Sequence, residues 1–500
     1  MNILDRMIAG FSPERGLRRA RARAATAHYD AATSTRRGQS WKVSGADADA
    51  ASRKRDRLAF VSRDLVRNNP FALRGQQVIT NNMVGDGIIP KIIDCADEEL
   101  RKTGFRMIES LLDTTRIDVF GRQNLYGLQR LAANTIVDSG EVLIQREFHP
   151  SPQGPTGRFV PELKLRVMEP DYLDPLHDGL LSNGHSIEEG IEYDADGKRV
   201  AYHLFAQHPG AASFRGVGWS SKSTRVPADH VLHIYRQDRP GQMRGVSWFA
   251  PIAMTLQDLA DYQDAQIMRQ KIAACFAGFR RLGAEATEED RELVSLSPGL
   301  IQDIGPDEEM TFSDPPDVGG YDMFMSTGLH AVASGLGVTY EALTGDLSGV
   351  NFSSGRMGRM EMDRNVSSWQ WLMLIPQMME PIGRWLIEDW ARTDAANART
   401  IMASRFDWVP PHRILVDPTR EIPALRDAVR AGFASRSGVV RQLGADPERL
   451  MEEITKDAAE AKAKGLVFDS DAAAVSAAGV TQAPPPEDKT TTQKGSGNGK

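Results

Sequence analysis

Two long runs of helical periodicity with a turn-rich segment between them constrain this chain of 500 residues more than any other feature. In the first run Phe249, Ile252, Leu256 and Leu259 fall on one helical stripe, and Ser247 stands ahead of it as a cap. From Trp248 to Cys275 the pattern predicts a helix of about 42 Å. The segment from about Gly278 to Pro316, with LSPGLIQDIGPDEEMTF, is punctuated by Gly and Pro, after which YDMFMSTGLHAVASGL resumes helical spacing. The order is helix, small insert, helix.

Beyond the second run, TGDLSGVNFSSGRMG (Thr344 to Gly358) packs four glycines and three serines into fifteen residues and predicts a flexible loop. A further long helical pattern follows, RMEMDRNVSSWQWLMLIPQMMEPIGRWLIEDWA. Pro376 and Pro381 each remove a backbone donor, so a kink or break is expected there. Ahead of the paired helices, residues 140 to 240 alternate short β-rich runs with turns: EVLIQREF, LKLRVME, GIEYDADGKRVAYHLF and HVLHIY. The DADG in the third run predicts a hairpin. The fold class is therefore α+β, in two to four structural units.

Charge is unevenly distributed. Residues 12 to 67 hold fourteen Lys or Arg against six Asp or Glu, so the remainder of a chain of net charge -7 is strongly acidic. The cluster GLRRARARAA has no apolar stripe to bury and predicts an arm that stays mobile until it meets a partner; scaffold or capsid contact, nonspecific nucleic-acid contact and a solvated tail all fit it. From about Asp469 the chain turns to Ala, Ser, Pro and Gly and predicts a disordered tail. Cys95 and Cys275 stand alone, which excludes a disulfide framework and a Cys-type zinc site and points to a reducing cytoplasm. No signal peptide and no membrane span are expected.

Several constellations carry little chemistry. His230 and His233 lie three apart in a strand-like run, where they face opposite sides, so a metal site is not expected. Asp47 with Asp49, Asp171 with Asp174, and Asp307 with Glu308 and Glu309 fit solvated surface better than Mg²⁺ ligands. Trp369, Trp371, Trp385 and Trp390 sit among Leu and Ile, which favours core or subunit interface over base stacking. GxxxxGK[ST], GxSxG and HExxH are absent, so no cofactor and no enzymatic activity are expected.

From about His28 to Asp446 the chain resembles the lambda-type phage portal proteins. The matching stretches are SRDLVRNNPFA with NNMVGDGIIP, GIEYDADGKRVAYH, HVLHIYRQDRPGQMRGVSWFAP, LGVTYEALTGDLSGVNFSSGRMGRME and WVPPHRILVDPTRE, in that order. Each alone is turn chemistry or a helix entry; their combination carries the resemblance. It implies a portal fold of wing, helical stem, clip and crown, assembled as a ring of about twelve copies. Laid over the chain, the expected parts are a basic arm (1–68), a wing (69–246), a stem helix (247–276), a clip (277–316), a returning stem helix (317–338), a tunnel loop (339–360), a kinked helix (361–398), a crown (399–466) and the tail (467–500).

The resemblance further implies a DNA channel at one capsid vertex for genome packaging and ejection. Its expected partners are transient, sequence-independent double-stranded DNA, the terminase large subunit, head-completion or connector proteins, and the major capsid and scaffold proteins. The expected location is the virion, after assembly in the host cytoplasm. Such a channel needs no base readout and gains from weak phosphate contact; twelve copies at -7 carry about -84, which repels DNA along the bore. Candidate tunnel-loop residues are Leu347, Ser348, Asn351, Ser353, Ser354, Arg356 and Arg359, with Arg356 foremost, since Arg359 is spaced to pair with Asp363. Candidate docking residues in the clip are Arg280, Arg281, Asp303, Asp307, Glu308 and Glu309. Two alternatives stand beside this: a DNA-processing enzyme with a carboxylate metal site, and another head or tail ring protein.

Overall fold

The computed structural model describes residues 45–50, 54–95, 97–147, 162–211, 222–274, 278–281, 309–312, 319–411, 417–445 and 447–466. The Arg-rich cluster and the C-terminal tail lie outside them. The described chain forms two units. The small one contains residues 45–50 and 238–243, where Asp49 accepts a hydrogen bond from the Met243 amide at 2.8 Å and Arg239 donates to the Ala46 carbonyl. Everything else described belongs to the second.

That second unit begins with two helices, α1 (Arg55–Asn68) and α2 (Pro70–Met83). The NNP sequence separates them: the Asn69 side chain accepts from the Phe71 and Ala72 amides, and Pro70 occupies a first-turn position whose N–H would be idle anyway. α1 buries Ala59, Ser62 and Leu65, so the basic arm ends before Lys54 rather than at residue 68. The charge count concealed an amphipathic helix in which Arg57 and Arg67 lie on the outer face while Arg55 is buried and Arg63 is held against Asp171.

Strand β1 (Ile89–Ile93) follows, then α3 (Glu98–Met107, running into a π turn at Ile108–Leu112) and α4 (Leu125–Ser139). Two sheets come next. β2 (Glu141–Glu147) lies between β3 (Lys164–Met168) and β9 (Val231–Tyr235), antiparallel to both. The other sheet runs in sequence order through β4 (Gly179–Leu180), β5 (Ser186–Glu188), β6 (Ile191–Tyr193), β7 (Arg199–Leu204) and β8 (Thr224–Pro227). The expected hairpin is present: Asp194 in the turn accepts from the Asp196 and Lys198 amides.

The paired helices are α5 (Ala253–Ala274) and α6 (Tyr321–Leu336). α5 starts five residues later than the pattern suggested, because Trp248–Pro251 form turns before it. The stripe is as expected: Phe249, Ile252, Leu256 and Leu259 are all buried. Between the helices, β10 (Gly278–Arg281) and β11 (Glu309–Phe312) pair antiparallel, with Arg280 opposite Met310 and Arg281 opposite Glu309.

After the short α7 (Tyr340–Thr344) comes α8 (Phe352–Trp369), which passes without a break into a π-helical stretch, Gln370–Met379, and then α9 (Glu380–Thr393). The prolines do not break the rod. Around Pro376 the bonds widen to the π pattern, and the Glu380 amide donates to the Ile375 carbonyl across it; Pro381 follows as the second residue of α9 within the same continuous rod.

α10 (Ala398–Ala403) leads to β12 (Arg405–Val409), which pairs along its whole length with β1. Ile401, Phe406 and Trp408 join the main core, so residues 399–409 belong to the body and not to the expected crown. The last helices are α11 (Pro418–Arg430), α12 (Arg436–Gln442) and α13 (Pro447–Ala463). One hydrophobic cluster joins α2, α3, α4, α6, α8, α9 and β12 with the root of α5. Trp369, Trp385 and Trp390 are buried in it, whereas Trp371 is half exposed.

Candidate functional site

The base of α5 is held by two segments that interlock. Ser139, Gly140 and Glu141 form the turn from α4 into β2; Arg244, Gly245 and Ser247 precede α5. Gly140 is left-handed (φ 93°), and a Cβ there would stand 2.4 Å from the Val246 carbonyl carbon; one on Gly245 would stand 2.2 Å from the Gly140 oxygen. Glycine at both positions lets the backbones touch. Across this contact the Glu141 carboxylate accepts from Arg244 Nε at 2.8 Å and Nη2 at 2.5 Å, from the Gly245 amide at 2.7 Å, and lies 2.9 Å from His233 Nε2.

Glu141, Arg244 and His233 are all buried. Burial alone would push the Glu141 carboxyl up, but Arg244 and His233 outweigh it and hold the group far below the ordinary carboxylate range. Arg244 also reaches Glu189 at 3.0 Å, and Arg55 pairs with the same carboxylate, which joins α1 to the five-stranded sheet. His233 is thus a structural partner of Glu141. Ser247, expected as the cap of this helix, instead lies six residues before α5: its Oγ accepts from the Phe249 amide within the turn and lies 2.7 Å from Ser62 Oγ.

Upward from this root, α5 and α6 approach closely. A Cβ on Gly328 would fall 2.5 Å from Leu259 Cδ2, and one on Gly335 would fall 2.3 Å from Ile252 Cγ2. The two glycines are seven residues apart and so share a face. Further along, Tyr262 stacks on Tyr321 and packs on Phe324.

At the other end of α6 the expected tunnel loop is mostly helical. Only Gly345–Asn351 is non-helical, between α7 and α8. Within it Asp346 accepts from the Ser348 amide, a bond that lowers its pKa, and Leu347 is exposed at the tip. Asn351 caps α8 through the Ser354 amide, and Ser354 Oγ accepts from the Asn351 amide in return. That reciprocal cap starts the helix despite Gly355 and Gly358. Ser353, Ser354, Arg356 and Arg359 are therefore helical residues beside a short loop. Arg359 pairs with Asp363 at 3.1 Å; Arg356 is half exposed, 4.0 Å from Glu421 of α11.

Of the candidate clip residues, Arg280, Arg281 and Glu309 lie on the β10–β11 ladder, and Asp303, Asp307 and Glu308 fall outside the described residues. The acidic pairs are less solvated than expected. Asp49 caps the small unit, Asp174 accepts from Ser223 Oγ at 2.6 Å, and Asp171 receives both terminal nitrogens of Arg63. Among the described residues, Glu169, Asp171 and His208 are the one group of potential ligands whose donor atoms converge. Arg63 already supplies their positive charge, which disfavours a cation there.

A family model described as "Phage portal protein, lambda family" matches residues 34–370, a span that includes the α4–β2 interlock, both paired helices and the whole of α8. The chain belongs to the lambda family of phage portal proteins. Its relatives include the probable portal protein of Halomonas phage phiHAP-1, 25% identical over 93% of this chain and 92% of that protein. Portal protein B of Escherichia phage lambda is 21% identical over 84% of this chain and 86% of that protein. Among solved structures, the chain is similar to one in the neck of a native gene transfer agent particle computed with C12 symmetry (14% identity, 77% of this chain and 94% of that one, TM-score 0.43). It is also similar to an HK97 family phage portal protein from Corynebacterium diphtheriae (12% identity, 73% and 96%, TM-score 0.32).

Within this portal chain, the Glu141–Arg244 pairing is what sequence reasoning missed. The two residues are 103 positions apart. The available signals were a charged residue directly after a helix-ending glycine and an Arg-Gly pair before a cap, and neither names its partner.

Proposed function

We propose that this chain assembles into a ring of about twelve copies that forms the DNA channel at one capsid vertex, serving packaging and later ejection. The observation that carries the proposal is the family match across the interlocked root, the paired helices and the loop they carry. In this reading α5 and α6 form the stem, and the β10–β11 ladder belongs to the clip, where Arg280, Arg281, Asp303, Asp307, Glu308 and Glu309 meet the terminase large subunit and then the head-completion or connector proteins. The two sheets form the wing, towards the major capsid and scaffold proteins. Residues 417–466 form the crown. The protein works in the virion, after assembly in the host cytoplasm.

Leu347, Ser348, Asn351, Ser353, Ser354, Arg356 and Arg359 then border the bore. Arg359 is held by Asp363, so Arg356 is the better placed to meet passing phosphate. Single contacts of this kind steady a duplex without gripping it, and an acidic subunit repels it elsewhere. The chain acts by geometry and performs no chemistry on DNA.

Light scattering on the purified full chain, run beside a Mg²⁺-supplemented incubation with linear DNA, tests this. A single species of about twelve subunits with intact DNA is expected. A monomer or dimer that cuts the DNA would establish the enzymatic alternative instead.

A further inference from the structure

A cyclic ring needs a heterologous contact, so each subunit must present two different faces that fit one another. Two helical stretches of this chain carry outward stripes at three- and four-residue spacing. On α5 the stripe is Met254, Asp258, Asp261, Ala265 and Met268, on the side opposite the buried Ile252, Leu256 and Leu259. On α8 and the first turn of the π stretch that continues it, the stripe is Met357, Met360, Arg364, Ser368 and Trp371, opposite the buried Met362, Val366 and Trp369. Met254 is 72% exposed, Met357 73% and Trp371 52%. That much apolar surface in regular rows is unusual for a helix bound only to water.

The stripes match in length and charge. Each spans fifteen residues, about 21 Å of helix. Asp261 stands at the midpoint of one and Arg364 at the midpoint of the other, with Asp258 one turn from Asp261. Among the described residues Arg364 pairs with Glu361, at 3.2 Å, and both side chains are more than 70% exposed, so that pair holds it weakly. Orientation follows from size. With the helices antiparallel, Trp371 faces Met254, Met360 faces the small Ala265, and Met357 faces Met268; with them parallel, Met360 would be buried against Asp258.

We propose that the outward stripe of α8 on one subunit packs antiparallel on the outward stripe of α5 on the next, with Arg364 seated between Asp258 and Asp261. The occupant of each face is thus a second copy of this chain. The contact rests on the ring reading and specifies the surfaces that close it.

Charge exchange on the full-length chain tests the pairing, with assembly followed by native mass spectrometry and folding by circular dichroism. Asp261→Arg and Arg364→Asp alone should each raise the concentration for half-assembly about tenfold or more, and the double variant should return to within about threefold of wild type. The pairing is overturned if the single variants assemble like wild type, or if the double variant assembles no better than the worse single one while folding normally. A wild-type chain that stays monomeric at every concentration overturns the ring itself, and the pairing with it. Both positions are exposed, so the substitutions spare the fold.

Discussion

Replacing Glu141 by Gln keeps the size of the side chain and removes its charge, which isolates the electrostatic part of the interlock at the root of α5. In the native chain that carboxylate accepts from Arg244 Nε and Nη2 and from the Gly245 amide, and it faces His233. Removing one partner of a buried, hydrogen-bonded ion pair costs about 3–5 kcal/mol. Arg244 keeps Glu189 at 3.0 Å, so the lower end applies, about 3 kcal/mol or roughly 160-fold in the folding equilibrium. Urea unfolding followed by tryptophan fluorescence is the assay, because Trp248 lies directly after this segment and under the Arg236 guanidinium. A Glu141→Leu/Arg244→Met double variant should recover most of the loss, since no charge is left stranded. If Glu141→Gln unfolds at the wild-type urea concentration, the carboxylate does not hold the root and the reasoning fails.

Three further outcomes are expected. Gly328→Ala/Gly335→Ala should lower stability by about 1–3 kcal/mol in thermal unfolding despite the better helix propensity of Ala, because the added methyls meet Leu259 and Ile252; unchanged or raised stability would deny the close approach. Asn351→Ala should weaken the start of α8 by about 1 kcal/mol and speed hydrogen exchange at the Ser354 amide, leaving α9 as it was. The hydrogen bond from Arg225 pulls Glu192 down to about 2 from an ordinary 4.5, so its stabilising effect is complete above pH 4.5 and is lost as pH falls towards 2. Near-ultraviolet circular dichroism of the buried Tyr193 and Tyr202 should report that loss, and Arg225→Met should move its onset to higher pH.

Local signals were legible in the sequence and distant pairings were not. The Phe249, Ile252, Leu256 and Leu259 stripe and the DADG hairpin are set by neighbours within a few residues, and both stand where the pattern puts them, whereas Ser247 holds the turn before α5 and does not cap the helix. The Gly and Ser count over Thr344–Gly358 hides a capping box that is equally local, so composition suggests a longer loop than the Gly345–Asn351 segment observed. Pro376 suggested a break because a broken rod is the common result, yet a π stretch absorbs it. Nothing local separates β12 from the expected crown, because its partner, β1, lies far earlier in the chain and no period in either segment reveals the pairing. Glu141 and Arg244 escaped for the same reason. Within the candidate site, Arg359 and Asp363 could be paired from spacing alone, whereas the approach of Arg356 to Glu421 depends on the tertiary path of α11.

Electron microscopy of the purified full-length chain, reconstructed with the symmetry its end-on views display, tests the central claim most directly. A ring with an open axial hole is expected, with Gly345–Asn351 of every subunit at its edge. A compact particle without a hole, or a ring in which those residues sit on the outer rim, would contradict it.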